Sequence, residues 1–116
     1  MSGAERDYKH TSVVVVEGNI ATQQIVDASP RKPFVEEILE DRPMFVGSWQ
    51  NSCGVVLLAG ESAQRARVLP KALKLPPADA RREADIYGKA VAVRTDESGD
   101  VLDLSLDEFE RLCAGE

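Results

Sequence analysis

Few residues in this chain are of types that perform covalent chemistry, and their positions keep them apart. Cys53 and Cys113 are the only thiols, and His10 is the only imidazole. A cysteine nucleophile needs a base held firmly within hydrogen-bond reach. His10 falls in an N-terminal stretch with nothing apolar to anchor it. Cys53, within Asn51-Ser-Cys-Gly54, reads as a turn or strand-edge residue. Cys113 reads as a packing residue beside Phe109 and Leu112 on the last turn of a helix. One histidine and two distant cysteines do not make a tetrahedral zinc set. Asp96, Glu97 and Asp100 lie close together but lack the twelve-residue ligand order of an EF-hand, so they read as a solvated acidic turn. Neither a Gly-rich phosphate loop nor a dinucleotide fingerprint occurs. No catalytic residue, metal site or cofactor is assigned from these residues.

Two features suit docking better than catalysis. Trp49, the sole tryptophan, ends a predicted strand beside Gln50 and Asn51. A core cap is its ordinary role, yet half-exposed tryptophans are favoured partner anchors. Arg65, Arg67, Lys71 and Lys74 are interleaved with Val68, Leu69, Leu73 and Leu75. That is the pattern of a solvated strand and loop with its apolar members turned inward, or of a basic docking edge for an acidic protein or a phosphate backbone. Trp49, Arg65, Arg67, Lys71 and Lys74 are therefore the candidate partner-binding residues.

The charge is unevenly spread. Of the net −6, residues 1–63 carry 5 basic and 9 acidic side chains, residues 64–94 carry 8 and 3, and residues 95–116 carry 1 and 8. The segments therefore stand at −4, +5 and −7. A basic middle and an acidic end can neutralise each other in the fold, or form a bipolar surface that steers a charged partner. Net acidity argues against nucleic acid as the general partner. No apolar run approaches the ~20 residues of a membrane span, and the polar N-terminus lacks the apolar segment of a secretory signal. Two thiols sixty residues apart suggest a reducing compartment rather than a disulfide scaffold. A soluble, cytoplasmic protein is expected.

The elements that must position these residues follow from pattern. The 116 residues suit one domain, expected over 12–114 behind a flexible tail at 1–11. Residues 13–17 are β-branched and too few for a helix, so they predict a buried strand. Gly18-Asn19 predicts a turn into a second, half-exposed strand over 20–26. Pro33 suits the first turn of a helix whose apolar face is Phe34, Val35, Ile38 and Leu39, ending at Pro43. Strands are expected over 44–49 and 55–59. Residues 60–84 are the least patterned: 65–69 suits a strand, Pro70, Pro76 and Pro77 break any long helix, and 77–84 suits one or two helical turns. Residues 86–93 predict another strand, followed by the acidic glycine turn Glu97-Ser-Gly-Asp100 and a short strand. Ser105 with Glu108 forms a capping box that opens a final helix. The order β-β-α-β-β-(loop)-β-β-α implies an α+β domain: a mainly antiparallel sheet with one or two short helices on one face.

The stretch Asp85-Ile-Tyr-Gly-Lys-Ala-Val-Ala-Val93, the turn Asp96-Glu-Ser-Gly-Asp100 and Leu104-Ser-Leu-Asp-Glu-Phe109 together resemble a family of small phage, plasmid and bacterial proteins. It is known only as a domain of unknown function, number 3846 in its series. The strands at 13–17 and 55–59 and the Leu69-Pro70 step fall in compatible order. Ala59-Gly-Glu-Ser-Ala63 departs from the Asn-Glu-like pair usual in that family. The resemblance implies an α+β fold and carries no activity. The function expected from the sequence is that of a small non-catalytic protein-interaction or regulatory module, acting on a protein partner through its acidic C-terminal face or its basic central edge. The alternatives are an enzyme assembled from dispersed residues such as Cys53, Asn51 and Glu17, or a weak nucleic-acid binder through residues 65–74.

Overall fold

Residues 13–16 and 90–93 are apolar at every position, so strands built from them present apolar side chains on both faces and need cover on both. The computed structural model describes residues 10–18, 20–29, 33–49, 54–68, 71–72 and 86–113, with the backbone alone at Trp49, Lys71, Ala72 and Cys113. In it the two apolar runs lie side by side at the centre of one antiparallel sheet. β1 (His10–Glu17) forms a hairpin with β2 (Ile20–Asp27), and all eight residues of each are in register. β3 (Pro43–Trp49) and β4 (Val55–Gly60) form a second hairpin. β7 (Lys89–Thr95) lies between the hairpins, pairing Val14 with Ala92 on one side and Leu57 with Ala92 on the other. The strand order is β2-β1-β7-β4-β3. A short β8 (Val101–Leu102) pairs with the end of β7.

Alternation along the strands divides the core into two layers. Val14, Val16, Leu57, Ala90 and Ala92 face one side with Ile86, Leu104 and Phe109; Val13, Val15, Val91 and Val93 face the other. α3 (Leu106–Cys113) lies against the first layer through Leu106, Phe109 and Leu112. α1 (Phe34–Leu39) covers the second with Phe34, Ile38 and Leu39. The α+β class and the antiparallel sheet agree with the sequence. The expectation of helices on one face does not hold: the uninterrupted apolar runs require a helix on each side.

Further elements differ from expectation. Residues 65–68 do not form the strand expected over 65–69. α2 (Glu61–Ala66) occupies the start of that region, built from good helix formers with a Glu61–Arg65 ion pair of 3.3 Å one turn apart. Asp41 supplies its cap from outside, accepting the Ala63 N–H at 3.1 Å and the Arg42 N–H at 2.8 Å. Desolvation pushes the Asp41 pKa up, but the hydrogen bonds from Ala63, Arg42 and Ser62 together outweigh it and the carboxyl is lowered overall. The Gln64 amide then bonds both the N–H and the C=O of Tyr87, serving as a one-residue strand edge. β5 (Lys71–Ala72) and β6 (Ile86–Tyr87) form a separate two-stranded sheet. Residues 77–84 lie outside the described residues.

α1 does not run to Pro43. It stops at Leu39, where Glu40 turns left-handed at φ 55° and returns its N–H to the Glu36 carbonyl. The Lys89 ammonium reaches the Ile38 carbonyl at 3.3 Å, placing a cation on the carbonyls of that terminus. Pro43 opens β3 instead. β1 begins at His10, inside the stretch expected as a tail.

The C-terminal unit matches its pattern closely. Asp96 Oδ1 accepts the N–H groups of Ser98 and Asp100 at 2.8 and 3.0 Å, and Gly99 takes φ 90°. In the capping box, Ser105 Oγ accepts the Glu108 N–H at 3.1 Å while Glu108 Oε1 accepts the Ser105 N–H at 3.2 Å. β8 enters where β1 and β7 part. Asp103 Oδ1 accepts the Ser12 N–H at 2.9 Å, and the Leu104 N–H reaches the Ser12 carbonyl at 3.0 Å.

Ser105→Ala should lower unfolding free energy by about 1 kcal/mol, the usual worth of such a cap, read as a drop in denaturation midpoint at unchanged slope. Glu108 is held below the ordinary 4.5 by the Ser105 N–H first and by Arg94 beside it, against some desolvation. A lowered folded pKa adds stability above 4.5 that fades as pH falls through the folded value. The stability gap between the wild type and Glu108→Gln should therefore be widest at neutral pH and should narrow below 4.5, as followed by urea titrations across pH. Gly54 and Gly99 share φ 90°, but a Cβ on Gly54 would lie 2.1 Å from the Thr95 carbonyl oxygen, whereas one on Gly99 meets nothing within 4 Å. Both alanine variants carry the left-handed strain of roughly 1–3 kcal/mol. Gly54→Ala should melt distinctly lower than Gly99→Ala, and equal melting temperatures would dismiss the close approach as the cause.

Candidate protein-docking edge

An open sheet has two edges, and each presents unpaired backbone groups to solvent unless something blunts it. β3 is blunted. It begins with Pro43, which has no N–H to offer, and its register slips between Phe45 and Gly47, leaving a bulge at Val46. Met44 and Phe45 are exposed along it.

β2 is not blunted. From Ile20 to Val26 it holds no charge, no proline and no glycine, and among the described residues no strand pairs with its outer side. Its pairing with β1 runs unbroken over eight residues, with no bulge. Ile20 and Ile25 are 65% and 66% exposed, the most open large apolar side chains among the described residues. Alternation puts Ile20, Thr22 and Gln24 on the face of α1, and Ala21, Gln23 and Ile25 on the face of α3. Only Ala21 and Val26 of β2 reach the core layers.

Gln23 ties this edge to α3. Its Oε1 accepts the Leu106 N–H at 2.7 Å, satisfying a donor that the first helical turn leaves free. α3 brings acidity to the edge. Glu108 is occupied, with Oε2 3.0 Å from Arg94 Nη1 and its other oxygen on Ser105. Asp107 and Glu110 are exposed, and the only cation of the helix is Arg111, 3.1 Å from Asp107. Glu17, also exposed, stands opposite Ile20 at one end of β2, and Asp27 closes the other. Arg94 spans the junction, donating from Nη1 to the Asp103 carbonyl at 3.2 Å.

The candidate docking residues read from the sequence do not gather in one place. Trp49 is the last residue of β3, paired with Val55. Arg65 lies on α2, and Arg67 takes the left-handed position that ends it at φ 54°. α2 starts where β4 stops, five residue steps beyond Val55, so it begins about 17 Å along the hairpin from the Trp49 row. Lys71 belongs to β5, and Lys74 lies outside the described residues. Arg65 and Arg42 both approach Glu61, at 3.3 and 4.0 Å, so part of this positive charge is met locally.

The dispersed set considered for catalysis is also spread. Glu17 pairs with Lys89 at one end of β7, while Gly54, which follows Cys53 in the chain, bonds to Thr95 at the other. That is about 20 Å at the rise of a strand. Cys53 and Asn51 lie outside the described residues. His10 pairs with Asp27 at the start of β1. An open groove of about 740 Å³ lies between Gly54, residues 95–98 and Leu102. Among the described residues, no group of three or more His, Cys, Asp or Glu side chains is placed to hold a metal ion. No helix among them is long and apolar enough to cross a membrane.

The β2 edge escaped the sequence because an uncharged strand of alternating polarity looks the same whether one side or both sides are paired. The legible signal was the absence of any lysine, proline or glycine from residue 20 to residue 26, set against Pro43 and Gly47 in the other edge strand.

No curated protein and no solved structure matches the chain. A family model does match, over residues 13–112. It is not the domain of unknown function, number 3846 in its series, that the C-terminal motifs resemble. Those motifs are a strand, a glycine turn and a capping box, features that many α+β domains use for the same physical reasons. The match spans the sheet from the first apolar run to the end of the last helix, and the chain belongs to the family of unknown function DUF5880.

Proposed function

We propose that this domain is a non-catalytic protein-interaction module that binds its partner by lending the outer edge of β2 to an added strand. The observation that carries this reading is the contrast between the two edges. β3 is interrupted by a proline and a bulge, whereas β2 runs unbulged and uncharged for seven residues with two isoleucines in solvent. Soluble proteins commonly blunt such an edge against chance pairing. Strand addition uses it: backbone hydrogen bonds supply affinity, and alternate side chains supply selectivity. Ile20 on one face and Ile25 on the other give an incoming strand an apolar contact on each side.

The basic residues at 65–74 carry this reading less far. Arg65 is engaged with Glu61, and Trp49 stands at the far end of the β3–β4 hairpin.

The double substitution Ile20→Ser and Ile25→Ser tests the reading. Both side chains are mostly exposed, so stability should change by about 0.5 kcal/mol or less for each, and the circular dichroism spectrum should stay as it is. Partners captured from native cell extract by the wild-type domain should be lost by this variant. They should be retained by Met44→Ser with Phe45→Ser, and by Arg65→Glu with Arg67→Glu. A partner lost only with the arginine variant would move the docking surface to α2 and overturn the β2 assignment.

A further inference from the structure

The strand-addition reading leaves open what kind of strand fits, and the charges around β2 narrow it. We propose that the β2 edge takes an extended, basic segment of a partner protein, with a β-branched centre beside Ile20–Val26 and lysines or arginines towards the carboxylates around it. The inference rests on the reading of β2 as the docking edge. Within β2 the residues from 20 to 26 are neutral, so selectivity must come from the border. That border is acidic: Glu17 beside one end, and Asp107 and Glu110 exposed on α3 against the single cation Arg111. The Gln23–Leu106 bond holds the first turn of α3 against the edge strand itself, so the exposed carboxylates of the helix lie on the same side of the sheet as Gln23 and Ile25. Such complementarity speeds encounter and suppresses partners of the wrong sign.

The same charges disfavour a second copy of the chain. Antiparallel self-pairing of β2 about a two-fold axis would place both α3 helices on the same face of the joined sheet. Glu108 is met by Arg94, but each helix also brings the exposed Asp107 and Glu110 against Arg111, in a chain of net charge −6, and this excess of like charge disfavours joining two copies along that face. A polyphosphate backbone is repelled for the same reason. A basic strand removes that repulsion instead of adding to it.

The probes are two synthetic eight-residue peptides, matched in length to β2, with the same alternating Val/Thr centre. One carries a pair of lysines at each end and the other a pair of glutamates. Binding to the full chain is followed by calorimetry and by amide chemical shifts. The lysine peptide should bind at least about tenfold more tightly. Its shifts should centre on β2, and its affinity should fall as salt rises. Asp107→Asn with Glu110→Lys should erase most of that preference while leaving the spectrum of the free protein folded. Equal affinity for the two peptides overturns the charge inference and leaves strand addition standing. Lysine-peptide binding that ignores Ile20→Ser with Ile25→Ser, or shifts away from β2, overturns the edge assignment itself. Binding of neither peptide at millimolar concentration overturns both. A concentration-dependent dimer whose shifts map to β2 makes a second copy the occupant and overturns the basic partner.

Discussion

The rest of this structure depends on β7 being apolar on both of its faces. Ala90, Val91, Ala92 and Val93 are all buried, and neighbours pair along both edges of the strand. A strand in that position excludes water from every direction, which is unusual in a small antiparallel sheet, where one face commonly stays wet. The two helical covers follow from it. α1 must lie on the side of Val91 and Val93, and α3 on the side of Ala90 and Ala92. The two alanines share the α3 layer with larger side chains, Leu57 from the neighbouring strand and Leu104 and Phe109 from the C-terminal segment.

Cover on both faces means that the helices are held chiefly by the sheet. α1 and α2 have six residues each, too short to persist in water unaided. Each is secured by a group from elsewhere in the chain, Lys89 on the end of α1 and Asp41 on the start of α2, and the start of α3 adds Gln23 to its local Ser105 cap. The hydrogen-bonding demands of the helix ends are met across the tertiary structure, so secondary and tertiary order form together.

How much could be read in advance follows the range of the determining interactions. The first hairpin, the strands around Met44 and Val55, the glycine turn and the Ser105–Glu108 box depend on neighbours a few residues away, and pattern revealed them. α2 depends on Asp41, twenty-two residues from the Ala63 N–H it caps, and residues 65–69 taken alone suit a strand. The placement of the helices on opposite faces was implicit in the four consecutive apolar residues of β1 and β7. The docking edge depends on which strands end up outermost, a property of topology that composition does not express. Among the described residues, the cations of the basic stretch find their partners at different ranges. Arg94 from the basic stretch meets Glu108 from the acidic one at 3.0 Å, whereas Arg65 is answered within its own helix.

Gln23 has a consequence of its own. Its backbone belongs to the outermost strand, while its side chain holds the first amide of the last helix. Edge strands fray more readily than central ones, and helices open from their ends. One amide group therefore joins the border of the sheet to the start of a helix. An event that quiets the strand also steadies the helix, and loosening of the helix returns mobility to the strand. Energetic coupling of this sort is reciprocal. Here it needs no second conformation and no long relay, because the two borders are a single side chain apart.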